Sequence, residues 1–290
     1  MQIVKLICII CIASAVASCR HRQDSDRHLL AVSIEPQRHI LEQLAGPSFE
    51  VTSLLGRSTD PETFDPSTAQ RMAVDRADIY FATGVLPFEN RLHASLNPAC
   101  TYIDTSEGIE LLHGTHGKTN DSHADHSGHN DADPHYWSSV ANIRHMASTM
   151  AAALKERYPD STRIIDARLE KLGITLDSLD TVIRTKTGAA KTKSFAVWHP
   201  SLSYFARDYG LHQHSFGMEG KEMSARDMAT AIDKARTDSI EVFIFQPAID
   251  SRQAEVLSHN IGSRLVSVDL QAYDWLDQLS TIADEINRQN

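Results

Sequence analysis

Apolar and polar positions along the chain change their period several times, and the changes mark predicted strands and helices. In the first half, short apolar runs predict strands at residues 29–34, 49–55, 79–83 and 101–104. Between them, apolar residues that recur every three or four positions predict helices at 37–44 and 67–76. Strands that alternate with helices indicate a parallel sheet.

The middle of the chain has helical periodicity without strands, from residue 140 to 187. Pro159 divides this region, and the second helix, 161–187, would be about 40 Å long at ~1.5 Å per residue. Alternation then resumes, with strands predicted at 194–198, 212–216, 242–246 and 264–268 and helices at 201–208, 224–235, 251–260 and up to residue 288. The predicted fold class is α/β, with two lobes, each a mainly parallel sheet flanked by helices, joined by one long rigid linker helix.

The N-terminus has the features of an export signal. Lys5 precedes an apolar run, Leu6 to Val16, that is too short to span a bilayer. The run leads into Val16-Ala17-Ser18-Cys19, which resembles the lipobox of bacterial lipoproteins, where the cysteine is acylated. An ordinary signal peptide followed by a chance cysteine is the alternative. We expect a lipoprotein in the periplasm or at the cell surface, held to the membrane only by the lipid on Cys19.

These features divide the chain into predicted segments. They are a signal peptide (1–18), a lipidated tether (19–28), an N-terminal lobe (29–160) with a His-rich loop (113–133), the linker helix (161–187) and a C-terminal lobe (188–290). Removal of the signal leaves Cys19 and Cys100, so no disulfide framework is available. We expect Cys100 to be a small buried residue.

Composition and charge narrow the class of partner. The chain is 41% hydrophobic and 23% charged, as in an ordinary soluble domain, and its formal net charge is −10. A surface that binds nucleic acid would need clustered Lys and Arg residues, and such clusters are not evident in this sequence. We therefore expect no nucleic-acid partner. A negative charge is compatible with the attraction of cations.

The His-rich loop points to metal chemistry. It holds five closely spaced histidines in a stretch with almost no apolar residues: His113, His116, His123, His126 and His129. Neutral imidazole binds borderline divalent ions such as Zn²⁺. A polar spacer of biased composition is the alternative, but we favour a low-affinity auxiliary metal site that raises the ion concentration locally.

Four residues outside this loop are candidate ligands of a tight site. His135 lies in Asp-Pro-His-Tyr-Trp, where the helical pattern begins, and His199 directly follows a predicted strand. Glu62 lies in a loop after the second strand, and Asp269 follows the strand 264–268. Ligands of such folds bind where the carboxyl ends of strands face a crevice, so two residues from each lobe could share one ion. Taken singly, His199 would more often be an ordinary loop histidine, and Glu62 or Asp269 a loop acid or a helix cap.

These motifs resemble a known family, the substrate-binding proteins of bacterial ABC importers for zinc and manganese. The resemblance extends over nearly the whole mature chain and is most specific in Asp133-Pro134-His135-Tyr136-Trp137, in the run from His199 to Gly210, and in the His-rich loop. It implies a monomeric carrier, not an enzyme, that binds one divalent transition metal and passes it to an ABC transporter permease. It also implies that Glu62, His135, His199 and Asp269 are the metal ligands.

One position departs from the family pattern. Residues 60–66 resemble the loop that normally carries the first histidine ligand, as Asp-Pro-His, and here Glu62 stands in that place. Oxygen ligands favour Mn²⁺ or Fe²⁺, whereas the imidazole-rich loop favours Zn²⁺. We therefore expect zinc, with manganese or iron as the alternative, and either Asp269 or water as the last ligand.

Two other classes of function stay open on the sequence alone. One is an exported metallohydrolase in which Glu62 acts as a general base beside a bound ion. The other is a surface adhesin that keeps the metal as a structural element. The remaining histidines, among them His212, His214 and His259, lie in patterned segments and are expected at the surface or in the core.

Overall fold

Two parallel sheets and a long helix between them form the molecule. The computed structural model describes residues 27–56, 59–113, 132–217, 224–246 and 252–288. The first half contains β1 (His28–Val32), α1 (Glu35–Ala45), β2 (Phe49–Ser53), α2 (Thr68–Asp75), β3 (Ile79–Ala82), α3 (Pro87–Ala94) and β4 (Thr101–Asp104). Two helices, α4 (Val140–Arg157) and α5 (Thr162–Ala189), follow. The second half contains β5 (Ser194–Val197), α6 (Ser203–Tyr209), β6 (His212–Ser215), α7 (Ala225–Thr237), β7 (Val242–Phe245), α8 (Arg252–Ile261), β8 (Arg264–Ser267) and α9 (Trp275–Asn287).

The two sheets have the same topology. Their strand orders are β2-β1-β3-β4 and β6-β5-β7-β8, and all neighbouring strands are parallel. Every residue of β3 and of β7 is buried, which is why these strands are apolar throughout and do not alternate. In a parallel sheet all carboxyl ends share one edge, so the loops after β2 and β5 emerge at the carboxyl edges of their sheets. The predicted two-lobe α/β fold class is confirmed.

Most predicted elements are present within a few residues, but helix α3 was missed. It buries few side chains, namely Phe88, Glu89 and Leu92, so its helical period is weak in the sequence. The Glu89 carboxylate accepts hydrogen bonds from the backbone amides of Leu86 (3.2 Å) and Thr83 (2.7 Å). The start of this helix is therefore stabilised by a contact with the end of β3. The spacing of apolar residues in the sequence does not reveal such a contact.

Helix α5 is the longest element of the described chain. Its 28 residues span about 42 Å at ~1.5 Å per residue. Its buried residues recur at intervals of seven and four positions, which puts them on one side: Ile165, Leu172, Leu176, Ile183 and Thr187. This side packs against α4 before it and α9 at the end of the chain. Because α4 follows the first sheet and α9 the second, α5 is packed against both halves.

Hydrogen bonds also join the two halves directly. The Tyr204 hydroxyl, on α6, donates to the carbonyl of Asp133 at 2.7 Å and accepts from the amide of Leu112 at 3.0 Å. At another point, the Tyr273 hydroxyl donates to the Glu42 carboxylate at 2.6 Å. These contacts set the position of one sheet relative to the other.

Two smaller expectations concern Cys100 and the membrane. Cys100 is buried, as predicted, and burial raises the pKa of its thiol to about 11. Over the part of the chain that the structure describes, none of the helices combines the length and apolar character that a bilayer crossing requires. Residues 1–26, with the predicted signal peptide and Cys19, lie outside the described residues.

We predict that Leu176→Ala lowers the free energy of unfolding by about 2–5 kcal/mol, because it leaves a cavity on the packed side of α5. Ile174→Ala is the matched control on the same helix, since Ile174 is 66% exposed and Leu176 is 1% exposed. It should change stability by no more than about 0.5 kcal/mol. Denaturant unfolding of both variants measures the difference, and equal losses would contradict the packing described for α5.

Candidate metal centre

Three side chains from the two halves converge on one point. Among the described residues, Glu62, His135 and His199 form the group of metal-ligating side chains whose ligand atoms all lie within 4.8 Å of one another. The two Nε2 atoms are 3.3 Å apart, and Glu62 Oε1 lies 3.4 Å from His199 Nε2 and 3.8 Å from His135 Nε2. A tetrahedral ion with bonds of ~2.0–2.1 Å would separate its ligand atoms by about 3.3–3.4 Å. The three atoms are therefore close to the spacing that one shared ion requires.

Glu62 is positioned by a turn in the loop after β2. The Asp60 carboxylate accepts hydrogen bonds from the amide of Glu62 (2.9 Å) and the hydroxyl of Thr63 (3.0 Å). An Asp side chain commonly forms such a turn by accepting a hydrogen bond from the backbone amide two residues further along the chain. It directs the Glu62 side chain, which is only 19% exposed, toward the two imidazoles.

His135 directly precedes a short 3₁₀ turn, Tyr136–Ser138, that is anchored in the first half. The buried Tyr136 hydroxyl donates to the Thr83 carbonyl at the end of β3 (3.2 Å) and lies 2.8 Å from the Thr105 hydroxyl after β4. The side-chain amide of Asn142 donates to the Tyr136 carbonyl at 3.2 Å. The backbone next to His135 is thus held by the carboxyl edge of the first sheet and the start of α4.

Asp133 orients the His135 ring. Its Oδ1 lies 3.0 Å from His135 Nδ1 and accepts a hydrogen bond from the His135 amide at 2.9 Å. Burial alone would raise the pKa of the Asp133 carboxyl, but the hydrogen bonds and charge of His135 outweigh it and hold that pKa well below its usual range. An ionised carboxylate at Nδ1 favours the tautomer with its proton on Nδ1. That tautomer leaves the Nε2 lone pair directed at Glu62 and His199, as in carboxylate–histidine–metal sites.

His199 comes from the second half. It follows the buried strand β5 by two residues, and its carbonyl accepts a hydrogen bond from the Ser201 amide at 2.8 Å. Its side chain is 13% exposed, so the cluster lies mostly out of solvent. The link from Tyr204 to the Asp133 carbonyl joins the segment after His199 to the residue that orients His135.

The other predicted site residues are placed differently. Asp269 is not a member of the three-residue group, and its Oδ1 accepts a hydrogen bond from the Gln271 amide at 3.0 Å. His113 is exposed and forms an isolated antiparallel bridge with Ala132, also outside the group. The remaining members of the predicted auxiliary site lie outside the described residues: His116, His123, His126 and His129.

Asp133 and Tyr204 have roles at the site that the sequence patterns did not predict. A signal for Asp133 was present, because an Asp two residues before a ligand histidine can reach its ring and its amide. The role of Tyr204 had no local signal, because its partners, Leu112 and Asp133, are far away in the chain. Both residues act on the site by holding another residue in place.

Comparisons with known proteins identify the family of the chain. The family model described as "Zinc-uptake complex component A periplasmic" matches residues 30–288. The chain belongs to this family. Its members are extracytoplasmic metal-binding solute-binding proteins and not enzymes, so the non-enzymatic expectation is confirmed and the metallohydrolase alternative is set aside.

Individual relatives extend the comparison. The zinc-binding lipoprotein AdcA of Streptococcus pneumoniae strain R6 is 23% identical over 286 residues, which cover 97% of this chain and 56% of that protein. A crystal structure of ZnuA superposes with a TM-score of 0.80 at 29% identity, over 90% of this chain and 98% of that one. A Mn-bound mutant of a periplasmic metal-binding protein from Candidatus Liberibacter asiaticus has a TM-score of 0.74 at 17% identity, over 90% and 98% of the two chains, and shares the fold.

We predict that ¹⁵N NMR of the metal-free protein near neutral pH finds the His135 ring with its proton on Nδ1. The reason is the Asp133 carboxylate 3.0 Å from that nitrogen. In Asp133→Asn the preference for this tautomer should weaken, while Asp60→Asn, which alters the loop of Glu62, should leave the His135 tautomer unchanged. A wild-type His135 ring protonated on Nε2 would show that Asp133 does not orient it.

Proposed function

We propose that this protein captures a divalent transition metal, zinc first, in the cleft between its two lobes and delivers it to an ABC transporter permease. The observation that carries the proposal is the group of three ligand atoms 3.3–3.8 Å apart, contributed by both halves. Glu62 and His135 supply the ligands of one side and His199 supplies that of the other. An ion at this point would join the two lobes.

A fourth ligand completes the proposed site, and Asp269 or water supplies it. Asp269 follows β8, and β5 and β8 belong to the same parallel sheet, so Asp269 and His199 emerge at the same edge. With Asp269 as the fourth ligand, the protein fills the coordination sphere and leaves no position for a reactive water. This arrangement suits a carrier, because the ion is held and released unchanged.

Two imidazoles support zinc as the ion. Nitrogen ligands suit Zn²⁺, and the family description and the name of the streptococcal relative both refer to zinc. Glu62 in the place of a third histidine favours Mn²⁺ or Fe²⁺ as the alternative, because carboxylate oxygen is a harder ligand. A Mn-bound relative with the same fold is consistent with that alternative.

Two further parts of the proposal concern the approach of the ion and the place of the protein. The auxiliary histidines 113, 116, 123, 126 and 129 raise the local ion concentration but do not belong to the tight site. The lipid on Cys19 keeps the monomeric protein at the membrane, near its permease, in the periplasm or at the cell surface. The streptococcal relative, which matches 97% of this chain, carries the name lipoprotein.

We predict that Glu62→Ala, His135→Ala and His199→Ala each weaken zinc binding at least ~100-fold, more than the 10–100-fold typical of residues that only orient a ligand. Each variant removes one of three converging atoms. Competitive titration against a chelating indicator, with the Cys19-truncated protein, measures the affinity. Circular dichroism and thermal unfolding without metal establish that each variant is folded.

His259→Ala, at an exposed position on α8, is the matched control and should bind zinc like the wild type. Full affinity in any of the three site variants would overturn the proposed ligand set. Delivery to a permease is tested separately, by zinc uptake in cells that carry or lack the transporter. Uptake that is equal with and without this protein would favour the adhesin class instead.

We predict that Glu62→His raises the affinity for zinc relative to manganese. A third imidazole replaces a carboxylate oxygen, and nitrogen donors favour Zn²⁺ over Mn²⁺. Competition between the two ions, followed by metal analysis of the dialysed protein, gives the ratio, and Glu62→Asp is the control that keeps oxygen as the ligand. A ratio that moves toward manganese in Glu62→His would show that Glu62 does not set the preference.

A further inference from the structure

The edge strand β6 carries two histidines on one face. His212 and His214 are two residues apart in a strand, and alternate residues of a strand point to the same side. Within the described residues, strand β6 is at the edge of the second sheet and pairs with β5 alone. Both histidines line an open cavity of about 710 Å³, together with Asp238, Leu112 and Arg207.

His214, like His135, has a carboxylate oxygen close to its Nδ1, although the contact is longer. Asp238 Oδ2 lies 3.3 Å from His214 Nδ1, and Asp133 Oδ1 lies 3.0 Å from His135 Nδ1. In both pairs the carboxylate faces Nδ1, so the favoured tautomer has its proton there and keeps the Nε2 lone pair available. This pairing of carboxylate and imidazole is the one that orients histidines in metal sites.

The charges around His214 also bear on its metal-binding form. Burial lowers the pKa of the His214 ring, the Asp238 carboxylate opposes this, and Lys234 and His212 reinforce it. The balance favours neutral imidazole, which is the form that binds metal. Arg207, which lines the cavity, pairs with Asp208 at 2.8 Å, which offsets its charge. Lys234 remains as a positive charge that weakens the attraction of a cation.

We propose that His212 and His214 form a second, weaker site for a divalent transition metal such as Zn²⁺ at the edge of the second sheet. His214 binds through Nε2 while Asp238 holds its Nδ1, His212 turns its exposed ring to the same ion, and water fills the remaining positions. Two protein ligands and an open position make the ion readily exchangeable. Because none of Glu62, His135 and His199 takes part, this site stands independently of the proposed function.

The cavity nevertheless borders the scaffold of the first site. Leu112 and Ser203 line it, and the Leu112 amide donates to the same Tyr204 hydroxyl that donates to the Asp133 carbonyl. Ser203 also contributes to the low pKa of the Asp133 carboxyl by a hydrogen bond. Residues that line the cavity therefore contact the Asp133–Tyr204 pair on which the first site depends.

The test is a zinc titration of the metal-free full mature chain, labelled with ¹³C and ¹⁵N in histidine. Asparagine replaces histidines 113, 116, 123, 126 and 129 to remove competing ligands. We expect the first equivalent to shift the ring resonances of His135 and His199, and a further equivalent to shift those of His212 and His214. The double variant His212→Asn with His214→Asn should lose the second event, and Asp238→Asn should weaken it about 10-fold.

His259→Asn is the control for an exposed histidine and should keep both events. The proposal is overturned if His212 and His214 do not respond to a several-fold excess of zinc, or if the second event persists in the double variant. The two proposals fail separately in this experiment. If zinc shifts His212 and His214 but neither His135 nor His199, the proposed function fails and the edge-strand site stands; the reverse result removes only the edge-strand site.

Discussion

Two imidazole nitrogens and a carboxylate oxygen, held 3.3–3.8 Å apart, are the constraint on which the rest of the molecule depends. Three ligand side chains keep such a spacing only where the surrounding structure fixes their positions. Glu62 and His135 belong to one half and His199 to the other. The spacing therefore requires that the halves be held in register, which is the role of α5 and of the contact from Tyr204 to Asp133.

Within the first half, buried hydrogen bonds extend this support to the sheet. Glu89 is fully buried, and burial raises the pKa of its carboxyl, while the amides of Thr83 and Leu86 donate to it. The Thr83 carbonyl in turn accepts from the Tyr136 hydroxyl, next to His135. A buried polar group that loses its partner costs about 1–3 kcal/mol, so this chain of bonds tolerates little movement. It joins α3, β3 and the turn at His135 into one unit.

The fold was largely predictable from the sequence, because parallel sheets bury their strands on both faces and leave strong apolar runs such as those of β3 and β7. Of the four residues predicted to share one ion, Glu62, His199 and Asp269 were chosen by their positions after strands, and His135 by its position where a helical pattern begins. Glu62, His135 and His199 are brought together. Asp269 is not in the group, and its Oδ1 accepts a hydrogen bond from the Gln271 amide, a local contact that strand patterns do not describe. Asp133, Tyr204 and α3 were missed because strand and helix periodicity does not report the contacts that define them, most of which join separate segments of the chain.

The pairs His135–Asp133 and His214–Asp238 allow two effects to be distinguished: the orientation of an imidazole by a carboxylate, and the convergence of several ligand atoms on one point. In both, a carboxylate at Nδ1 prepares the imidazole to bind through Nε2, at 3.0 and 3.3 Å respectively. A carboxylate near Nδ1 is therefore common to His135 and His214, and it does not by itself produce a high-affinity metal site. What differs is the number of partners that already converge, because His135 meets two more ligand atoms in a mostly buried position, whereas His214 faces an open cavity beside an exposed His212. An ion at the edge strand would have to order the exposed His212 ring and would keep most of its bound water. An ion at Glu62, His135 and His199 would meet three ligand atoms that already converge. The affinity for metal at each site should therefore depend more on how many ligand atoms the two halves bring together than on how a single histidine is oriented.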